Sequence, residues 1–287
     1  MKSKCPEVSI IMSVHNGENF VTDAINSILN QTFRNFEFLI FDDGSNDKTL
    51  KEIRKFKDKR IKIFYFKKNM GLAYRLNQGI GLAKGKYIAR MDDDDISHPN
   101  RLKYQLEFLE KNPFYDLISS KCLTISKNNE VIGELPFREN HEEICKYPFI
   151  SFHHPHPSWF GRKKWFKKNL YSYPSSYFSE DQELLLKTYK KSKFYSIPEY
   201  LLAYRLKENI PLIKLFKINK ALFLSQIKQF YNGKNLLYIF PSIIIFLLRI
   251  LKIFVPFLNF VENKKVSCKQ ILIGYDFLGN KIDKEKK

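Results

Sequence analysis

The chain has 287 residues, enough for one large domain or two small ones, and its 44% hydrophobic and 15% aromatic content excludes a disordered protein. A formal net charge of +19 calls for an anionic partner or surface. Cys5, Cys122, Cys145 and Cys268 are scattered without the paired spacing of a zinc site or disulfide framework, so reduced thiols in a cytosolic setting are expected.

The N-terminal MKSKCPEVSIIMSV leads into His15-Asn16-Gly17-Glu18 and not into a small-residue cleavage site, so it does not read as a signal peptide. VSIIMSV is short, β-branched and bounded by the polar turn HNGEN, which predicts a buried strand. A helix follows, with Val21, Ile25, Ile28 and Leu29 on one face. FEFLIF predicts a second buried strand, ended by Asp42-Asp43-Gly44-Ser45. Ser45, Asn46 or Asp47 is then placed to cap a helix with Leu50, Ile53 and Phe56 inside. IKIFYF reads as a third strand, GLAYRLNQGIGLAKG as a helix facing inward through Leu72, Leu76, Ile80 and Ala83, and KYIARM as a fourth strand. Beyond it, Ser97 or His98 caps a helix with Pro99 at its first position and Leu102, Leu106 and Leu109 inward. Residues 115–131 return to strands, SWFGRKKWFKKN runs strand to helix, SEDQELLLKTYKKS is helical, and FYSIPEYLLAYR is a strand or strand pair.

Strand–helix alternation at this spacing implies a mixed, mostly parallel α/β sheet with helices on both faces. Ligands bind such sheets beyond the carboxyl ends of the strands. Three segments therefore share one rim: Ser13 to Glu18, Asp42 to Ser45, and the acidic run Asp92 to Asp95. Adjacent carboxylates repel, and burial raises their pKa unless something positive sits between them. Mg²⁺ and Mn²⁺ prefer carboxylate oxygens together with substrate phosphates. In an extended stretch Asp92 and Asp94 face the same way and can share one such ion. The competing reading is a solvated acidic loop.

VSIIMSVHNGENFVTDAINSILNQTFRNFEFLIFDDGSNDKT and NMGLAYRLNQGIGLAKGKYIARMDDDDISHPNRL together resemble the nucleotide-sugar half of family 2 glycosyltransferases, over roughly Val8 to Leu109. The resemblance implies a GT-A fold, a nucleoside diphosphate sugar donor and a Mn²⁺ or Mg²⁺ cofactor. It places Asp43 against the base and the Ser13 to His15 turn, with Glu18 beyond it, on the nucleoside side. Asp92 and Asp94 match the family's Asp-any-Asp motif, the first contacting the nucleotide sugar and the last holding the metal. Ser13 and His15 stand where proline and tyrosine are usual, and Asp93 where alanine is common, so which carboxylates grip the ion is open. HPSWFGRKKWF, FSEDQELLLK and IPEYLLAYR look like the acceptor region of bacterial members involved in surface polysaccharide assembly. There the Glu180-Asp181 position carries the general base. An inverting transfer needs a carboxylate to take the acceptor hydroxyl's proton, which points to Asp181, with Glu180 as a helix-end partner or acceptor contact. Pro155 and Pro157 predict an extended SFHHPHPSW in which His154 and His156 point the same way, and the family's His-Pro favours His156 near the diphosphate or acceptor. Arg162 and Arg205 are further candidates for phosphate contacts. Trp159 and Trp165 fit packing better than sugar stacking.

The boundaries expected are a catalytic domain over 1–205, with the donor half at 1–95 and the acceptor half at 96–205, and a helical tail over 206–287. That tail holds 15 Lys and Arg against 5 Asp and Glu. Its run from Leu236 to Val261 is long enough to cross a bilayer, yet Pro241, Arg249, Lys252 and Pro256 interrupt it. An interfacial or re-entrant segment on an anionic membrane at the cytoplasmic face of the inner membrane fits better than a span or burial in the domain, and would suit a glycan or lipid-linked acceptor. No nucleic-acid recognition motif accompanies the charge, so a nucleic acid partner is not expected. The alternative function is a non-catalytic nucleotide-sugar-binding membrane scaffold, which the survival of both rim and base disfavours.

Overall fold

A computed structural model of the chain describes residues 5–173, 178–207 and 210–254. Cys268 and the end of the apolar run, from Pro256 to Val261, lie outside the described residues. The first half runs β1 (Val8–Val14), α1 (Val21–Leu29), β2 (Phe36–Asp43), α2 (Thr49–Arg54), β3 (Ile61–Phe66), α3 (Leu72–Leu82), β4 (Tyr87–Met91), β5 (Ile96–Ser97) and α4 (Arg101–Lys111). The second runs β6 (Leu117–Ile125), β7 (Val131–Glu134), α5 (His141–Ile144), a 3-10 turn (His156–Ser158), β8 (Phe160–Arg162), α6 (Lys163–Lys168), α7 (Glu180–Thr188) and β9 (Phe194–Arg205). After it come α8 (Leu212–Asn232), a 3-10 turn (Leu236–Tyr238) and α9 (Ile239–Phe254).

The strands form one sheet in the order β3-β2-β1-β4-β8-β6-β9-β5, with β7 paired to β6. β1 lies parallel to both β2 and β4, and β2 to β3. β8 is antiparallel to β4 and to β6, while β6 and β9 are parallel again. β1 is central because every residue of VSIIMSV is buried, as a strand covered on both faces requires. Its alternate side chains divide the core. Ile10 and Met12 join Val21, Ile25 and Ile28 of α1 and Leu102 and Leu106 of α4 on one face. Ile11 joins Leu39 and Phe41 with Leu76 and Ile80 of α3 on the other, where Trp159, Trp165 and Leu185 complete the layer.

Two helix starts need correction. The helix after the acidic run begins at Arg101, not at Pro99. Ser97 is drawn into β5 by pairing with Leu202, and the His98 ring Nδ1 accepts from the Asn100 backbone N–H at 3.2 Å in a turn. Of the two readings of FYSIPEYLLAYR the single strand holds, with its register against β6 shifting between Ser120 and Cys122. Pro198 sits at that shift, where its missing N–H breaks no ladder bond. None of the three candidate caps is the N-cap of α2, which is Lys48; Asp47, one residue earlier, accepts from the Thr49 N–H at 2.9 Å through Oδ1.

Candidate active site

The carboxyl ends of β1, β2 and β4 open on a cavity of about 670 Å³, closed on the far side by residues from the His153–Pro157 segment and the start of α7. Ser13, His15, Asp43, Asp92, Asp93, Asp94, His156, Glu180 and Asp181 all line it. The rim predicted from strand order and the acceptor-half residues thus share one space.

Asp43, the last residue of β2, is buried and fully engaged on one side. Oδ1 accepts from Met70 N–H at 2.9 Å and Arg75 Nε at 2.6 Å, and Oδ2 accepts from Gly71 N–H at 2.7 Å. Arg75 is itself buried and lies 3.6 Å over the Phe66 ring. The tight turn after Asp43 depends on Gly44, whose φ is +75° and whose missing side chain leaves room for the backbone of Lys68 and Asn69. His15 accompanies this corner, its Nδ1 3.1 Å from the Asp43 carbonyl.

The acidic run is held from behind. Arg205 donates from Nε to the Asp94 carbonyl at 2.7 Å, and its backbone N–H donates to Asp95 Oδ1 at 2.8 Å. Buried Arg90 pairs with Asp92, and Lys207 Nζ lies 3.0 Å from Asp94 Oδ2. One oxygen each from Asp92, Asp94 and Asp95 falls within 4.8 Å of the others. Asp95 Oδ2 is buried with no hydrogen-bond partner among the described residues. Burial, and then the charges of its neighbours, holds Asp94 above the usual carboxylate range and Asp95 well above it. Hard oxygen donors that crowd and repel suit a divalent cation, so these residues fit the expected Mn²⁺ or Mg²⁺. Asp93 belongs to a different contact: its carboxylate rests where Gly17 lacks a side chain, and burial with the charges of Asp94 and Asp92 pushes it up to about 8.

Across the cavity, Glu180 and Asp181 open α7. Burial and then the Asp181 charge push Glu180 up to about 7. Burial also raises Asp181, against the pull of Gln182 Nε2 at 3.1 Å from its Oδ2. His156 Nε2 meets Tyr171 Oη at 2.7 Å, and burial keeps the imidazole neutral by lowering its pKa well below the ordinary value.

Several expected contacts are placed elsewhere. His154 and His156 both line the cavity but are held by different partners. The chain coils into a 3-10 turn at His156–Ser158, and His154 Nδ1 turns to Ser119 Oγ at 2.9 Å and Ser196 Oγ at 3.2 Å. Arg162 is remote from the cavity: β8 runs antiparallel to β4, so its last residue lies opposite Tyr87 at the wrong end of the sheet, where Nη2 donates to the Leu109 carbonyl at 2.8 Å. Arg205 braces the acidic loop without lining the cavity. Glu18 ties two turns together, its carboxylate accepting from Lys48 N–H at 2.8 Å. Trp159 and Trp165 are buried packing residues. Sequence reading missed Arg75, Arg90, Asp95 and Lys207. Of these only Asp95, inside the acidic run, carried a signal.

A sheet of this order, with an acidic loop after its fourth strand and a cavity across the strand ends, is the GT-A fold of nucleotide-sugar transferases. It superposes on S. aureus TarS 1-349 in complex with UDP-GlcNAc with a TM-score of 0.60 at 19% identity, covering 76% of this chain and 66% of that one. The mannosyltransferase PcManGT from Pyrobaculum calidifontis, in complex with GDP-Man and Mn2+, matches with a TM-score of 0.60 at 11% identity over 85% and 74%. At these identities the likeness speaks for the fold alone.

Residues 9–170 match the family described as Glycosyl transferase family 2, and the chain belongs to it; it is a glycosyltransferase. An uncharacterised glycosyltransferase of Methanocaldococcus jannaschii is 33% identical over 236 residues, 80% of this chain and 81% of that protein. One from Haemophilus influenzae is 40% identical over 132 residues, 45% and 41%, so the chain spans less than half of that relative's length.

Proposed function

We propose that the chain is an inverting, metal-dependent glycosyltransferase that moves a sugar from a nucleoside diphosphate sugar, with uridine the favoured nucleoside. The acceptor is the hydroxyl of a glycan or lipid-linked saccharide in cell-surface polysaccharide assembly at the cytoplasmic face of the inner membrane. The observation carrying this reading is that the carboxylates of Asp92 and Asp94 and the Glu180-Asp181 pair line one cavity.

Asp181 takes the proton of the acceptor hydroxyl as that oxygen bonds to the anomeric carbon. The bond from that carbon to the diphosphate oxygen breaks, its electron pair leaving with the nucleoside diphosphate, so configuration inverts. Asp43 has one acceptor site of its carboxylate left after three internal bonds, which faces the cavity for the base. Ser13 and His15 border the nucleoside. Asp94 and Asp92, with Asp95 behind, would hold a divalent cation, which supplies positive charge to the departing diphosphate. Lys207 adds a protein cation beside the same carboxylates. His156, neutral and fixed by Tyr171, offers a hydrogen bond toward the diphosphate or acceptor.

The test is sugar transfer together with nucleotide binding by calorimetry, screening nucleotide sugars with and without Mn²⁺. Asp181→Asn is expected to lower turnover by about 10²–10⁴-fold while binding donor normally, since a general base contributes that much. Asp94→Asn should abolish the cation dependence of donor binding. Turnover near wild type in Asp181→Asn, or donor binding indifferent to the cation in the wild type, overturns the assignment.

A further inference from the structure

From Ile210 to Phe254 the chain carries six lysines and Arg249 but no Asp or Glu. This stretch forms α8 and α9, folded back on one another with Phe223 stacked on Phe246 at 4.5 Å. Its apolar residues are not a core: of Leu236–Ile253, with mean hydropathy 2.2, only 6% are buried. Leu237, Phe240, Ile244, Leu247, Leu248 and Leu251 recur at helical spacing on one exposed stripe, Leu237 being 92% and Phe240 70% exposed. A contiguous stripe of that kind on a soluble surface marks an interaction site.

The opposite side of the hairpin is fastened to the catalytic body. Leu222, Gln226 and Phe230 of α8 are buried, and Gln226 Nε2 donates to the carbonyls of Pro148 at 3.1 Å and Ile150 at 3.2 Å. Arg249 in α9 donates to the same Ile150 carbonyl at 2.9 Å. Both helices are therefore tied to the body. By length and composition Leu236–Ile253 is able to cross a membrane, but Arg249 lies within it and is bonded to the catalytic body. Standing upright in a bilayer would strip Arg249 from its acceptor and carry its charge into lipid.

We propose that the α8–α9 hairpin is a membrane-docking element that lies in the plane of an anionic bilayer, its outward stripe inserted at the acyl boundary and its lysines among lipid phosphates. Charge complementarity selects this occupant: lysines flanking an apolar stripe snorkel to phosphates, whereas a second copy would bring two cationic faces together. The hairpin also sits beside the active-site mouth. Lys207, at the acidic run, precedes α8 by five residues, and Lys214 in its first turn lies 5.8 Å over the ring of Phe178, which lines the cavity. Resting on the transferase reading, this placement puts the acceptor hydroxyl at the membrane surface and makes a lipid-linked saccharide the acceptor class.

The experiment floats the full-length protein with vesicles of phosphatidylcholine alone and with phosphatidylglycerol added. Binding to the anionic vesicles should be at least about tenfold tighter and should weaken with salt. Phe240→Asp with Leu247→Asp, both on exposed positions, should abolish it, while Leu82→Asp on exposed α3 should not. Trp introduced as Phe240→Trp and as Leu251→Trp should be quenched by brominated lipid to the same shallow depth, against native Trp159 and Trp165 that are buried. The proposal is overturned if folded protein ignores both vesicle types, as it would if residues 255–287 or a second copy covered the stripe. Binding that survives the double Asp substitution, or quenching that shows Phe240 and Leu251 at different depths, overturns it equally. Asp181→Asn should float like wild type, so loss of vesicle binding and loss of transfer remain separate results.

Discussion

The Asp43–Arg75 pair gives the sharpest test of how the donor side is built. Both side chains are 2% exposed, and Asp43 organises the Met70-Gly71 turn as well as Arg75. Replacing Asp43 by Asn keeps the shape but removes the charge. The bond from Arg75 Nε loses its charge assistance, which is worth about 1.5–3 kcal/mol. The new amide has only one oxygen, so its NH₂ must face one of the backbone N–H donors, leaving a buried donor unmet at about 1–3 kcal/mol. Together the loss is about 3–5 kcal/mol, in line with the removal of one partner from a buried pair. For a domain of this size that corresponds to about 6–20 °C in Tm. Urea denaturation of wild type, Asp43→Asn, Arg75→Gln and the double variant measures it, the cycle isolating a coupling of about 1–3 kcal/mol. A loss below about 1 kcal/mol with an unchanged m-value, or a cycle with no coupling, would refute the view that this pair, and not the helix packing around it, holds the corner.

Two further outcomes concern charge in the cavity. Glu180, pushed from 4.5 up to about 7, binds its proton more tightly folded than unfolded. The stability this gives is fully present below pH 4.5 and is lost as pH rises through 7. Glu180→Gln should therefore leave stability unchanged at pH 4 and raise it at pH 8, by about 2 kcal/mol once the full linkage value of about 3 is reduced for solvent at its half-buried carboxyl; equal stability at both pH values in denaturant melts would contradict the shift. Lys207→Met should act with opposite signs on binding and rate: Mn²⁺ alone binds tighter because Asp94 is freed, while kcat/KM falls about 10–100-fold through lost positive charge near the diphosphate. Calorimetry and initial rates check the two halves, and a variant that gains in both would rule out the role assigned to Lys207.

What the sequence made legible follows from how each kind of contact is written in it. The rim residues could be read because they end apolar runs, and strand ends in a parallel sheet share one edge: Asp43 closes β2, and the acidic run follows β4. Glu180 and Asp181 could be read because they begin a helix pattern. Arg162 was misplaced because the direction of β8 is not encoded locally. An antiparallel strand carries its later residues away from the rim, and only the pairing of Ala89 with Phe160 reveals it. The extended run expected through His154 and His156 gives way to a turn for a different reason. Proline fixes φ near −65°, which an extended segment and a 3-10 turn accept alike, and Ser158 Oγ closing on the Pro155 carbonyl at 2.8 Å goes with the turn.

The residues missed altogether are the cations, and that asymmetry is physical. Carboxylates that concentrate charge must be close together, so they appear as runs and pairs in the chain. Two of the cations that temper them arrive singly on long side chains from another element, Arg75 from α3 and Lys207 from beyond β9, while Arg90 stands on β4 two residues before Asp92 and is hidden in an otherwise apolar strand. Even so, the compensation is incomplete. Six carboxylates line the cavity against Arg90 and Lys207, in a protein whose net charge is +19. Burial first, and then the neighbouring carboxylate charge, push Asp93 up to about 8 and Glu180 up to about 7. A diphosphate cannot enter so negative a space unaccompanied, since its charge would be repelled at contact distance in a poorly solvated site. The excess acid on the Asp92–Asp95 wall is therefore the strongest physical argument for the proposed divalent ion: it leaves unmet the positive charge that a nucleoside diphosphate brings with it as its counter-ion. The protein's own surplus of lysine stays outside, where the hairpin can spend it on lipid.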